Sequence, residues 1–145
     1  MMVRKILCPI DFSPSSRAAM HAAAELARQR RATLVLVHIY EPRAWLASPD
    51  VPSRVVQEMR DQLETSFTAW KAEARGDGAL EVVGAIHQGV PWDRIVALAQ
   101  DDPEVDLIVM GTHGRSGTEH AAIGSVAERV VRHAPCAVLV VRARS

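Results

Sequence analysis

Aromatic residues are scarce in this 145-residue chain, at 4 %, and there are only two cysteines. Charge of one sign is also missing: Lys plus Arg and Asp plus Glu both total 17, so the net charge is zero. Each shortage excludes something. Without a basic field, a nucleic-acid partner is not expected. No apolar run approaches the roughly 20 residues that span a bilayer, so no membrane partner is expected either. The opening run MMVRKILCPID is too short for a signal peptide and has no small-residue cleavage site, which predicts a cytoplasmic protein. Cys8 and Cys136 each lie in or beside an apolar run, and both read as buried free thiols. With so few aromatics, Ala, Val, Leu and Ile must fill the core, a mixture suited to buried parallel strands under Ala-rich helices. The length fits one domain, residues 1–145.

What is present is a regular alternation. Residues 3–10 form a β-prone run ending at Asp11, and Ser13-Pro14 then supplies a helix cap followed by a proline at the first helical position. The segment 15–30 carries Ala19, Ala23, Leu26 and Ala27 at helical spacing. A second strand is predicted over 33–40 and an irregular stretch over 43–52. A long helix follows from Ser53, its stripe of Val56, Met59, Leu63, Phe67 and Trp70 read as core packing. Gly76-Asp77-Gly78 ends it. Further strands are predicted over 80–87, 106–110 and 136–141, with helices over 91–100 and 125–133. Strand–helix alternation throughout argues for an α/β fold: a doubly wound, five-stranded parallel sheet with helices on both faces.

In such a sheet, ligands bind beyond the carboxyl ends of the strands, where the winding reverses. With the strand order 3-2-1-4-5, two unusual loops face each other there: Pro9-Ile10-Asp11, and Gly111-Thr112-His113-Gly114-Arg115-Ser116-Gly117. Glycines allow close backbone approach, and successive N–H groups form an anion-binding concavity. Gly124-Ser125 precedes the last helix, with Ser125 read as its N-cap and its positive end favouring phosphate oxygens. Arg115 could add a charge-assisted contact to a terminal phosphate. On this reading, a Cβ at Gly114 or Gly124 would fill phosphate space and oppose a positive φ. A plainer alternative is that the glycines only make a turn, and that Asp11 only caps the first helix. His38, His87 and His133 have no metal-ligand spacing.

The pattern Gly111-x2-Gly114-x9-Gly124-Ser125 resembles the ATP-binding signature of the universal stress protein family. RKILCPIDFSPSS, VHIYEP and HAPCAVLVVR extend the resemblance over essentially the whole chain. It implies the order 3-2-1-4-5 and a nucleotide, ATP, between the first and fourth strands. By the same resemblance Pro9 and Asp11 lie near the adenosine, Asp11 accepts from ribose hydroxyls, and Ile39 meets adenine through its backbone. Gly111 to Gly117 then wrap the phosphates, and Gly124, Ser125 and Val126 close the site. Ala121 and Ala122 depart from the bulkier aliphatics common in the family.

An enzyme reading finds little support. The P-loop lysine and the nucleophile elbow are absent, and although Asp11 with a bound Mg2+ could polarise water, no general base stands out. A phospho-receiver lacks its acids and its lysine. An interaction module of the same fold that never binds nucleotide stays open. The uncharged run Cys136 to Val141, placed at a sheet edge, predicts a homodimer paired through the fifth strand, as the resemblance also implies.

Overall fold

The computed structural model describes residues 2–41, 48–113 and 123–143. Along them run β1 (Lys5–Pro9), α1 (Pro14–Arg30), β2 (Thr33–Tyr40), α2 (Ser53–Gly76), β3 (Val82–Gln88), α3 (Pro91–Asp101), β4 (Val105–Gly111), α4 (Ser125–His133) and β5 (Ala137–Val141). The five strands form one sheet in the order β3-β2-β1-β4-β5, and every neighbouring pair is parallel. Within the described residues this is the doubly wound arrangement that the alternation predicts.

Alternate residues of the central strands enter separate cores, as the two-residue strand period requires. Ile6 and Cys8 pack on one face with Ala19, Ala23 and Ala27 of α1 and with Phe67, Trp70 and Ala74 of α2. Leu7 faces the other side, with Ile95 and Ala99 of α3 and Ala127 and Val130 of α4. The three alanines of α1 are fully buried, and their small side chains let the helix lie close over the sheet. Burial of each Ile or Leu in these cores contributes about 1.5–3 kcal/mol. At the amino ends of the strands, Arg4 pairs with Asp106 at 3.1 Å, and Lys5 with Asp102 at 2.8 Å and Glu104 at 3.3 Å. These pairs tie the start of β1 to the approach to β4.

Helix ends follow local chemistry. Ser13 caps α1, its Oγ accepting the Ser16 N–H at 3.1 Å, and Pro14 takes the first helical position. Arg31 closes that helix in the left-handed region at φ 54°, and its N–H reaches Ala27 O. Past α2, Gly78 has φ +106°, a conformation that disfavours any side chain.

Four expectations need correction. The third strand starts at Val82 rather than at residue 80, because Leu80 lies 80 % exposed outside the sheet and Glu81 only begins the pairing through its carbonyl. The stripe on α2 is core only in its second half: Phe67 and Trp70 are buried, while Val56 and Leu63 are half-buried and Met59 is exposed. That first half stands off β2 and β3 and leaves a groove of about 490 Å³ lined by Tyr40, Ile86 and the three apolar residues of the helix. Ser125 is not the N-cap of α4 but its first residue; the cap is Gly124, which makes no side-chain bond. Cys8 is fully buried, whereas Cys136 precedes β5 and is only half-buried.

Candidate functional site

A parallel sheet aligns all its helices with their amino ends beyond the carboxyl ends of the strands, so partial positive charge accumulates there. In this chain those ends enclose a cleft of about 260 Å³. Pro9, Ile10 and Asp11 from the end of β1 form one wall, and Met110, Gly111, Thr112 and His113 from the end of β4 form the other. Ile39 of β2 and Ile95 of α3 line it from the apolar side, and Pro91 brings the start of α3. Gly124, Ser125, Val126 and Ala127 bring the start of α4. Every described candidate on the two loops, together with Ile39, therefore meets in one cavity. Gly114, Arg115, Ser116 and Gly117 lie outside the described residues.

The β1 side is shaped by a tight turn. Asp11 accepts the Ser13 N–H through Oδ1 at 3.0 Å, and its own N–H donates to Ser16 Oγ at 3.2 Å. Asp11 is not the cap of α1, which is Ser13, but it braces that cap from the preceding turn while also lining the cleft. Between Asp11 and Ser13 the backbone turns through Phe12 at φ 65°. A bulky residue is strained there, at a cost of about 1–2 kcal/mol. Its ring is held by His38 at 4.8 Å and by Trp70, edge-on, at 5.3 Å. His38 Nδ1 also meets Ile10 O at 2.7 Å, so this histidine braces the turn from behind.

On the β4 side the two described glycines, Gly111 and Gly124, serve packing. A Cβ on Gly111 would lie 2.7 Å from the Ser15 backbone, so Gly111 lets the first turn of α1 press on the end of β4. A Cβ on Gly124 would lie 2.6 Å from Thr112 O, the same oxygen that accepts the Gly124 N–H at 2.5 Å. Gly124 has φ −75°, so close approach rather than a positive φ demands glycine there. Thr112 is the hub of this side. Its N–H donates to Val141 O at 3.1 Å, and its Oγ1 lies 3.1 Å from His113 Nδ1 and 3.4 Å from Ser15 Oγ.

Sequence reasoning found Ser13 as a cap but missed Ser15 and Ser16. The buried polar side chains among the described residues are Ser13, Ser15, Ser16 and Thr112, all gathered at this site. Burying hydroxyls is unfavourable unless they are bonded, and here each has a partner. The run Ser13-Pro14-Ser15-Ser16 was the available signal, since only its first hydroxyl is needed for a cap. No group of three or more His, Cys, Asp or Glu side chains is placed to hold a metal among the described residues.

Comparison with known proteins follows the same outline. Residues 2–142 match the profile of the universal stress protein family. A putative universal stress protein of Staphylococcus haemolyticus is 31 % identical over 139 residues, covering 96 % of this chain and 84 % of the relative. The solved universal stress protein UspA from Lactobacillus plantarum superposes with a TM-score of 0.82 at 28 % identity, covering 98 % of this chain and 99 % of that one. A universal stress protein solved in complex with cAMP shares the fold, with a TM-score of 0.77 at 24 % identity and coverage of 99 % and 100 %. Strand order, the cleft at the winding reversal and the whole-chain match agree: this chain belongs to the universal stress protein family.

Proposed function

We propose that the cleft binds ATP and that the protein acts in the cytoplasm as a nucleotide-dependent stress-response or signalling module. The observation that carries this reading is the amino end of α4, which faces the cleft with a glycine as its cap and, among the described residues, no side-chain cap bond. The first N–H groups of a helix are natural partners for phosphate oxygens. The apolar side, Ile39 and Ile95, suits a purine ring, and Asp11 suits ribose hydroxyls. A fold neighbour that holds cAMP is in keeping with an adenine nucleotide here. Mg2+ would arrive with the triphosphate, and among the described residues Asp11 is the carboxylate that lines the cleft to receive it.

The described part of the cleft offers Asp11 and His113 as its titratable side chains, and the sequence carries no P-loop lysine to set beside them. Any ATP hydrolysis is therefore slow, below the ~1 to 10³ per second of dedicated enzymes. Titration calorimetry with ATP and Mg2+ tests the reading: a dissociation constant in the micromolar range or tighter, with adenine favoured over guanine, supports it. No heat and no thermal shift would leave a fold that serves as an interaction module without nucleotide.

The partner reading concerns β5. Its run Ala137–Val141 has no charged residue, lies at the sheet edge and leaves Leu139 exposed. Unpaired edge N–H and C=O groups favour strand addition, so a homodimer paired through β5 is the expected assembly. Leu139→Lys or Val140→Lys then shifts the mass measured by light scattering from dimer to monomer. A monomeric parent protein at tens of micromolar would refute the pairing.

A further inference from the structure

The Ser15 and Thr112 hydroxyls belong to different halves of the cleft, one to the first turn of α1 and one to the residue after β4. Both are buried, and they meet at 3.4 Å. Ser15 Oγ also accepts the His113 N–H at 3.3 Å, while Thr112 Oγ1 contacts His113 Nδ1. The peptide between Thr112 and His113 is thereby clasped from the α1 side. The Thr112 carbonyl is the group that holds the Gly124 N–H, and hence the amino end of α4. A chain of direct contacts thus runs from Ser15 through Thr112 to the end of α4 that faces the cleft.

Resting on the ATP reading, we propose that Ser15 and Thr112 are positioning residues that set the α4 amino end for the phosphates, and so make the site select phosphorylated over unphosphorylated adenosine. Neither hydroxyl need touch the nucleotide. Each acts by fixing the Thr112 carbonyl, and with it the direction of the α4 N–H groups. Adenosine, which meets the β1 and β2 side, does not depend on that direction. Triphosphate binding does, since hydrogen bonds weaken steeply as donors swing out of line.

The test compares ATP and adenosine on the full chain by calorimetry, with thermal melting to check folding. Thr112→Val keeps the shape but removes the hydroxyl, and Ser15→Ala removes its partner. Each variant should weaken ATP by about tenfold or more while leaving adenosine within about twofold, as expected when a buried polar partner is lost. Thr112→Ser restores the hydroxyl and should bind ATP as the parent does. In the double variant Thr112→Val/Ser15→Ala the losses should be less than additive, because both act on one peptide. Variants that bind ATP like the parent overturn the proposal. So does an equal loss of ATP and adenosine that Thr112→Ser fails to rescue, which would mark a merely structural pair. A parent that binds adenosine and ATP equally well overturns it too, while a parent that binds neither removes the ATP reading itself.

Discussion

At the scale of single residues, the glycines show how one pattern can serve two ends. Their spacing is legible in the sequence, but their cause is not: at Gly111 and Gly124 the constraint is the closeness of Ser15 and of Thr112 O. No local rule reveals such a contact, because its partners are 96 and 12 residues away in the chain. Gly124→Ala is accordingly allowed by backbone conformation and opposed only by the Thr112 oxygen. It should displace the start of α4, weakening ATP by about tenfold while stability falls by only about 1–3 kcal/mol, the usual range for overpacking. Circular dichroism and calorimetry on the same sample check both halves. Phe12 gives the same lesson, since nothing in the sequence marks an aromatic residue as left-handed; its φ of 65° goes with ring contacts to His38 and Trp70 from distant elements.

Elements were read best where local chemistry and packing agree. The second strand matches its predicted bounds because Glu41-Pro42 follows it, and α1 starts where Ser13 and Pro14 say it should. The long helix α2 has the bounds that Ser53 and Gly76 predict, but its packing is less legible. Its stripe is continuous in sequence, yet only the half carrying Phe67, Trp70 and Ala74 reaches the sheet. Periodicity reports which face is apolar, not how close that face comes to its neighbour. The two halves should respond differently to truncation. Trp70→Ala removes a ring packed on Phe12 with the Arg17 guanidinium 4.5 Å from its centre, and should cost about 3–5 kcal/mol in urea denaturation. Met59→Ala, on the exposed half, should cost less than about 1 kcal/mol by the same measurement. Equal losses would mean that the groove beside Met59 closes in solution.

For the molecule as a whole, the ion pairs at the amino ends of the strands predict how stability follows pH. Hydrogen bonds from Arg4 hold the Asp106 carboxyl below its usual range, and those from Lys5 do the same for Asp102. A carboxylate depressed by folding stabilises the fold above its unfolded value near 3.8, and that contribution is lost as pH falls through the lower folded value. The urea midpoint should therefore begin to drop as pH falls through about 4 and keep falling below it, and less steeply in an Asp102→Asn/Asp106→Asn variant. The pairs are partly exposed, so added salt should shrink the difference. Cys8 carries a different consequence. Its thiol lies fully buried in the central strand, with desolvation pushing its pKa up to about 12. The native chain cannot present it as a thiolate, so modification must wait until the sheet opens. Cys136, half-buried beside the edge strand, needs only a local fluctuation. A thiol reagent should thus read two clocks in one molecule: a fast one at Cys136 and a slow one at Cys8. The slow one should be accelerated by urea in proportion to global unfolding and retarded by any ligand that binds only the folded cleft.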